Sequence, residues 1–167
     1  MARDEGAISE FFEEFLRIEA AGWKGAAGTR SAITFVPGAR AFYESVIAQH
    51  SREFESDIAL LYTCDKAIAG QLLIRAARWE HVYKIGYDES FAKYAPGQLL
   101  LESVLQRWHA SGSVDRVSLV TGLPWHDNWS PIAEPTLAVS IFRDTWRPSI
   151  IRMARMIKSR IKEIRTS

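Results

Sequence analysis

Three strand-like runs joined by very short links, followed by a helix and one more strand, leave this chain few ways to fold. The runs cover residues 57–63, 67–75 and 79–87, with turns at 64–66 and 77–78. Links this short permit only antiparallel pairing. Residues 88–96 read as a loop. Residues 97–110 then read as a helix, with Leu100, Leu101, Val104, Leu105 and Trp108 on one face and Gly112 closing it. Residues 116–121 read as a strand. A strand–helix–strand connection is a right-handed parallel crossover, so this strand belongs beside the one ending at Tyr87. The expected fold class is α/β (α+β): a mixed sheet with an antiparallel meander and one central parallel strand pair, flanked by helices.

Two helices precede the meander. Ile8, Phe11, Phe12, Phe15 and Leu16 recur at helical spacing. Ser9 is expected to cap that helix and Gly22 to end it. A second helix is expected over 38–50, with Ala39, Phe42, Tyr43, Val46 and Ile47 on one face and Pro37 near its first turn. A last strand is expected over 136–142. Ile150, Ala154, Ile157, Ile161 and Ile164 then recur at spacings of four and three, which predicts a basic amphipathic helix. The boundary is placed so that 1–146 forms a domain and 147–167 a basic tail.

The 167 residues, 47% hydrophobic and 25% charged, suffice for one domain with a proper core. No apolar run approaches the ~18 residues that cross a bilayer, and no secretory signal is evident, so a cytoplasmic setting is expected. The formal net charge of +1 conceals an asymmetry. Residues 147–165 carry seven basic residues and one acid, which leaves 14 basic and 19 acidic residues elsewhere. A body this acidic argues against a whole-surface nucleic-acid partner. The tail suits packing on its own domain, an anionic membrane or self-association. The lone Cys64 can form no internal disulfide and is expected to be a quiet, semi-buried thiol. His50, His81, His109 and Cys64 lack metal-ligand spacing, so no metal is expected. Phosphate-loop, nucleophile-elbow and dinucleotide-glycine motifs do not occur.

The informative stretch is residues 84–102, KIGYDESFAKYAPGQLLLE. A strand ends, a loop turns, and a helix begins at Pro96-Gly97. Its first turn presents unpaired amides and the positive end of the helix dipole, which suits an anionic phosphate. If the parallel strand parts from its neighbour, an extended ligand arm can lie in the opening and pair like an added strand. These features together fit coenzyme A.

That stretch resembles the GNAT-like acetyltransferases of cellulose and exopolysaccharide biosynthesis, the CelD type, which are similar in turn to the Fem-type peptidoglycan aminoacyltransferases. FLRIEAAGWKG (15–25) and IAGQLLI (68–74) match the same family in the same order. The resemblance implies a GNAT fold and transfer of an acyl group from acetyl-CoA or another acyl-CoA to an amine, amino acid or sugar acceptor. By position, Tyr94, Ala95, Pro96, Gly97 and Gln98 would hold the diphosphate. Tyr87 and Asp88 would stand where the strands part, and Trp23 and Lys24 would lie on the acceptor side. Family members run to about twice this length, so an upstream GNAT-like half supplied by another chain is also implied. The loop 122–130 departs from the family in carrying neither Lys nor Arg, which leaves open a binding or scaffold module without catalysis.

Acyl transfer to an amine needs positioning and a proton acceptor. Asp88 is the carboxylate nearest the expected acyl position, against a reading as a local loop cap. His126 in the aromatic loop is a second candidate base, with Asp127 beside it, against a solvated loop pair. Trp125 and Trp129 are candidates for an acceptor wall or for pinning the loop. Glu102 reads as a surface or sheet-packing carboxylate, and Tyr83 as a core residue.

Overall fold

The computed structural model describes residues 5–49, 51, 53–135 and 137. Helix α1 spans Glu5–Ala21 and α2 Ala39–Ala48. Strands β1 (Phe54–Thr63), β2 (Lys66–Ala76) and β3 (Trp79–Tyr87) follow, then α3 (Pro96–Ser111) and β4 (Arg116–Ser118). Short 3-10 turns occupy Ile33–Phe35, Glu89–Tyr94 and Pro124–Trp129. The described strands form one sheet in the order β1-β2-β3-β4, antiparallel except for the parallel β3–β4 pair. This is the mixed α+β sheet that the link lengths require. Among the described strands the parallel pair stands at the end of the sheet. The chain divides into two units between Ser130 and Pro131, and every element named here lies in the first. The strand expected over 136–142, the basic tail helix and the boundary at 146 lie outside the described residues.

Two apolar layers sandwich the sheet. Phe12, Phe15 and Leu16 of α1, with Tyr43 and Ile47 of α2, pack on Ile58 and Leu72. Leu100, Leu101, Val104 and Trp108 of α3 pack on the other face against Ala69, Leu73 and Val82. Strand β2 is therefore covered on both sides, which is why residues 67–73 read as an unbroken run rather than an alternation. Each fully buried Phe or Leu contributes about 1.5–3 kcal/mol. Gly70 makes the close approach of α1 possible, since a Cβ there would lie 2.8 Å from Phe15 Cδ2.

Several sequence expectations need correction. Helix α1 starts at Glu5, so Ser9 lies inside it and is not its cap. Phe11 and Phe42 are exposed, because the buried stripes of their helices are centred on Phe12–Phe15 and Tyr43–Ile47. Strand β1 begins at Phe54, which pairs with Ala76, and so is longer than residues 57–63. Cys64 is exposed, at the tip of the two-residue β1–β2 turn with φ 50°. Strand β4 ends at Ser118 instead of 121, and that early end shapes the site.

Candidate active site

Strands β3 and β4 pair only through Trp79 with Arg116, Glu80 with Val117 and His81 with Ser118. Beyond that point β3 continues over residues 82–87, while β4 turns away. Val120 takes a left-handed φ of 64°, and the Thr121 N–H donates to the Leu119 carbonyl at 2.6 Å. A cavity of about 800 Å³ fills the fork, well within the ~300–1,000 Å³ of ligand clefts. Val82, Ile85 and Tyr87 form one wall, and Leu119, Val120 and Thr121 the other.

The first turn of α3 closes one end. Ala95 adopts φ 50°, ψ 48° and offers no side-chain cap. Both Gln98 and Leu99 donate to its carbonyl, at 2.9 and 3.1 Å. Pro96 has no N–H, so the Gly97 amide is the first donor of the helix without an internal acceptor. A Cβ at Gly97 would meet only Tyr87 Cδ1, at 3.8 Å, and Gly97 lines the cavity. Beside it lies Gln71, 1% exposed. Its Nε2 donates to the Gly97 carbonyl at 3.5 Å, while its buried Oε1 has no hydrogen-bond partner among the described residues. An orphaned buried acceptor is costly, and Gln71 lines the cavity. A ligand bringing both an anion and an amide N–H would satisfy both groups.

The opposite face of the sheet contributes a second chamber. Leu72 pairs with Lys84 and Leu73 with Val82, so Tyr83 is the extra residue of a β-bulge. The bulge breaks the strand's alternation. Val82 and Ile85 both pack toward α3, while Lys84 turns toward α1, its Nζ 3.1 Å from Glu19 Oε1. Glu19 is wholly buried. Its Oε1 also accepts from Lys24 Nζ at 3.4 Å, and its Oε2 accepts the Ile33 N–H at 2.9 Å. Lys24 donates a further bond to the Ile85 carbonyl at 2.7 Å. Burial lowers the Lys24 pKa from its ordinary value; Glu19 opposes that and the Lys84 charge adds to it. Tyr43 lies next to Tyr83, ring centroids 6.2 Å apart. Burial, aided by Tyr83, pushes the Tyr43 phenol up to about 12. Tyr83 itself is 43% exposed and lines the cavity, so it is no core residue.

Gly86 is what lets α1 reach this chamber. A Cβ there would stand 2.9 Å from the Glu19 Cα and 3.2 Å from its N. Both are backbone atoms that cannot swing aside. Gly86→Val is expected to cost about 1–3 kcal/mol or more through overpacking. A lowered urea midpoint would show this, and an unchanged midpoint would contradict it.

The fork brings together most of the residues singled out from the sequence. Trp23, Lys24 and Tyr87 line it, as do Ala95, Pro96, Gly97 and Gln98 at the mouth of α3. Trp125 and His126 join from the 124–129 turn. His126 is buried, its ring 4.1 Å from Trp125, and its Nδ1 accepts the Leu123 N–H at 3.2 Å. That bond engages Nδ1 as an acceptor and leaves Nε2 as the ring nitrogen that carries the proton. Tyr94 is 57% exposed, beside Lys93, and does not line the cavity. Glu102 is exposed and accepts from Gln106. Among the described residues, no group of three or more His, Cys, Asp or Glu could hold a metal ion, and no helix is long and apolar enough to cross a membrane.

Asp88 also stays off the cavity lining. It accepts from Lys66 Nζ at 2.7 Å and from the Ser90 N–H and Oγ at 3.0 and 2.6 Å. These bonds, Lys66 first and Ser90 next, hold its carboxyl down to about 2 from 3.8. They are the bonds of a loop cap, and a carboxylate this acidic accepts a proton poorly at neutral pH. Because its folded pKa is depressed, its stabilising effect is present above pH 3.8 and is lost as pH falls toward about 2. Asp88→Asn is therefore expected to be clearly less stable than the wild type at pH 7, with most of that gap closed near pH 2. Thermal unfolding at the two pH values checks this.

Four functional candidates escaped sequence reasoning: Glu19, Tyr43, Gln71 and Lys84. A signal existed for Glu19, which falls four residues after Phe15 and three after Leu16, on the buried stripe of α1. The sequence model of the acetyltransferase (GNAT) domain matches residues 1–128. Comparison with curated proteins and with solved structures yields no match.

Proposed function

Because the chain belongs to the acetyltransferase (GNAT) domain family, we propose that it transfers an acyl group from acyl-CoA, acetyl-CoA foremost, to an amine or hydroxyl acceptor in the β3–β4 fork. One observation carries this reading: the parted strands and the open first turn of α3 meet in a single cavity. Acyl-CoA supplies a thioester already activated for attack. The Gly97 amide and the positive end of α3 suit its diphosphate. The edge of β3 over 82–87 suits an extended arm that pairs like a strand, and Gln71 Oε1 accepts an amide N–H from it. Tyr87 packs over the mouth of α3. The His126 Nε2–H is a donor for the acyl oxygen as charge develops there. Trp23, Lys24 and Trp125 form the acceptor side.

Attack by the acceptor nitrogen or oxygen on the carbonyl carbon breaks the C–S bond; the acceptor gives its proton to solvent, and the leaving thiolate takes one up and departs as coenzyme A. Among the described residues no carboxylate lines the cavity, so positioning supplies most of the acceleration. The likeness of residues 15–25, 68–74 and 84–102 to CelD-type proteins extends the proposal to acceptors from polysaccharide or cell-envelope assembly. The same lack of a carboxylate favours a second reading, a binding module without catalysis. Calorimetry with acetyl-CoA tests the site, and release of free thiol with a panel of amines and sugars tests the chemistry. Saturable binding with thiol release supports the enzyme, and binding alone supports the module. Failure of acetyl-CoA and longer acyl-CoAs to bind overturns both.

A further inference from the structure

We propose that the acceptor carries an oxyanion, a carboxylate or a phosphate, and that Lys84 and Lys24 bind it on the α1–α2 side of the sheet. The inference rests on the acyltransferase reading and names the substrate class of the same cleft.

Charge is the first argument. Lys24 and Lys84 both line the cavity, and among the described residues no Asp or Glu does. Beneath them Glu19 supplies a single carboxylate to two ammonium groups. One lysine would balance Glu19, so the second is surplus. A surplus ammonium with only 13% or 20% of its side chain exposed is costly unless a counter-charge arrives. Donor capacity is the second argument. Each ammonium has three N–H groups. Lys24 directs two at Glu19 and the Ile85 carbonyl, and Lys84 directs one at Glu19. Both lysines therefore keep donors for a ligand. Construction is the third. Gly86 presses the α1 backbone at Glu19 against β3, and the Tyr83 bulge turns Lys84 to this face. Tyr43 and Tyr83 add phenols at the same place, and Trp23, 49% exposed, offers an apolar wall. The Gly97 amide lies on the α3 side, so a diphosphate there leaves the lysine pair for the acceptor.

The test uses the full chain saturated with coenzyme A and titrated calorimetrically with sodium phosphate or sodium acetate at constant ionic strength. Saturable oxyanion binding is expected. Lys84→Gln should weaken it by about tenfold or more, and Lys84→Arg should retain it. Which anion binds more tightly identifies a phosphate- or carboxylate-bearing acceptor. Absence of saturable binding, or equal affinity in Lys84→Gln with an unchanged circular dichroism spectrum, overturns the proposal. If coenzyme A itself fails to bind, the acyltransferase reading falls. The oxyanion titration still decides between the lysine pair and the helix mouth when repeated in Gly97→Glu, where binding through Lys84 should persist.

Discussion

Glu19→Ala is expected to destabilise the fold by about 3–5 kcal/mol, the range for removing one partner of a buried ion pair. The substitution strands two ammonium groups and leaves the buried Ile33 N–H without its acceptor. The unpaired amide alone costs about 1–3 kcal/mol. Both lysines face the cavity and can draw on its solvent, which holds the total toward the lower end. With a urea dependence of about 1–3 kcal/mol per molar, the midpoint should fall by roughly 1–3 M. Glu19→Gln keeps an acceptor for Ile33 and the side-chain volume, so it should lie between the two. A Glu19→Ala midpoint equal to the wild type would mean that the carboxylate does not hold this chamber together.

Gly97→Glu should separate binding from stability, because its two effects carry opposite signs. A carboxylate in the first turn opposes an incoming diphosphate and cancels part of the helix dipole. Acetyl-CoA affinity is expected to fall by about 100-fold or more, roughly 2.7 kcal/mol. The fold should hold or gain slightly. Glycine is a poor helix residue, glutamate near an N-terminus is a good one, and the new Cβ meets only an ordinary 3.8 Å contact with Tyr87. Calorimetry and thermal unfolding of the same sample check both signs. Unimpaired acetyl-CoA binding would remove the diphosphate from the mouth of α3.

Much of this architecture was legible from spacing. The two-residue turns dictated antiparallel pairing, and the crossover helix dictated the parallel pair. The helix mouth at Pro96-Gly97 was legible because proline and glycine leave a mark in the sequence. The chamber around Glu19, Lys24 and Lys84 was not, for a physical reason. Strict alternation along residues 79–87 puts Val82 and Lys84 on one face, and the bulge at Tyr83 sends them to opposite faces. A bulge depends on pairing with β2, so no pattern within β3 announces it. Asp88 illustrates the converse. Its residue type suggested a base, but Lys66 and Ser90, brought in by the β1–β2 turn and the following loop, determine its state.

Hydrogen exchange at the β3 edge reads most directly whether acyl-CoA enters the fork as an added strand. With acetyl-CoA bound, amides within residues 82–87 and the Gly97 amide should slow together, while the already paired β1–β2 ladder should change little. Protection confined to other surfaces, or unaltered exchange at 82–87 under saturating acetyl-CoA, would contradict the placement of the ligand between β3 and β4.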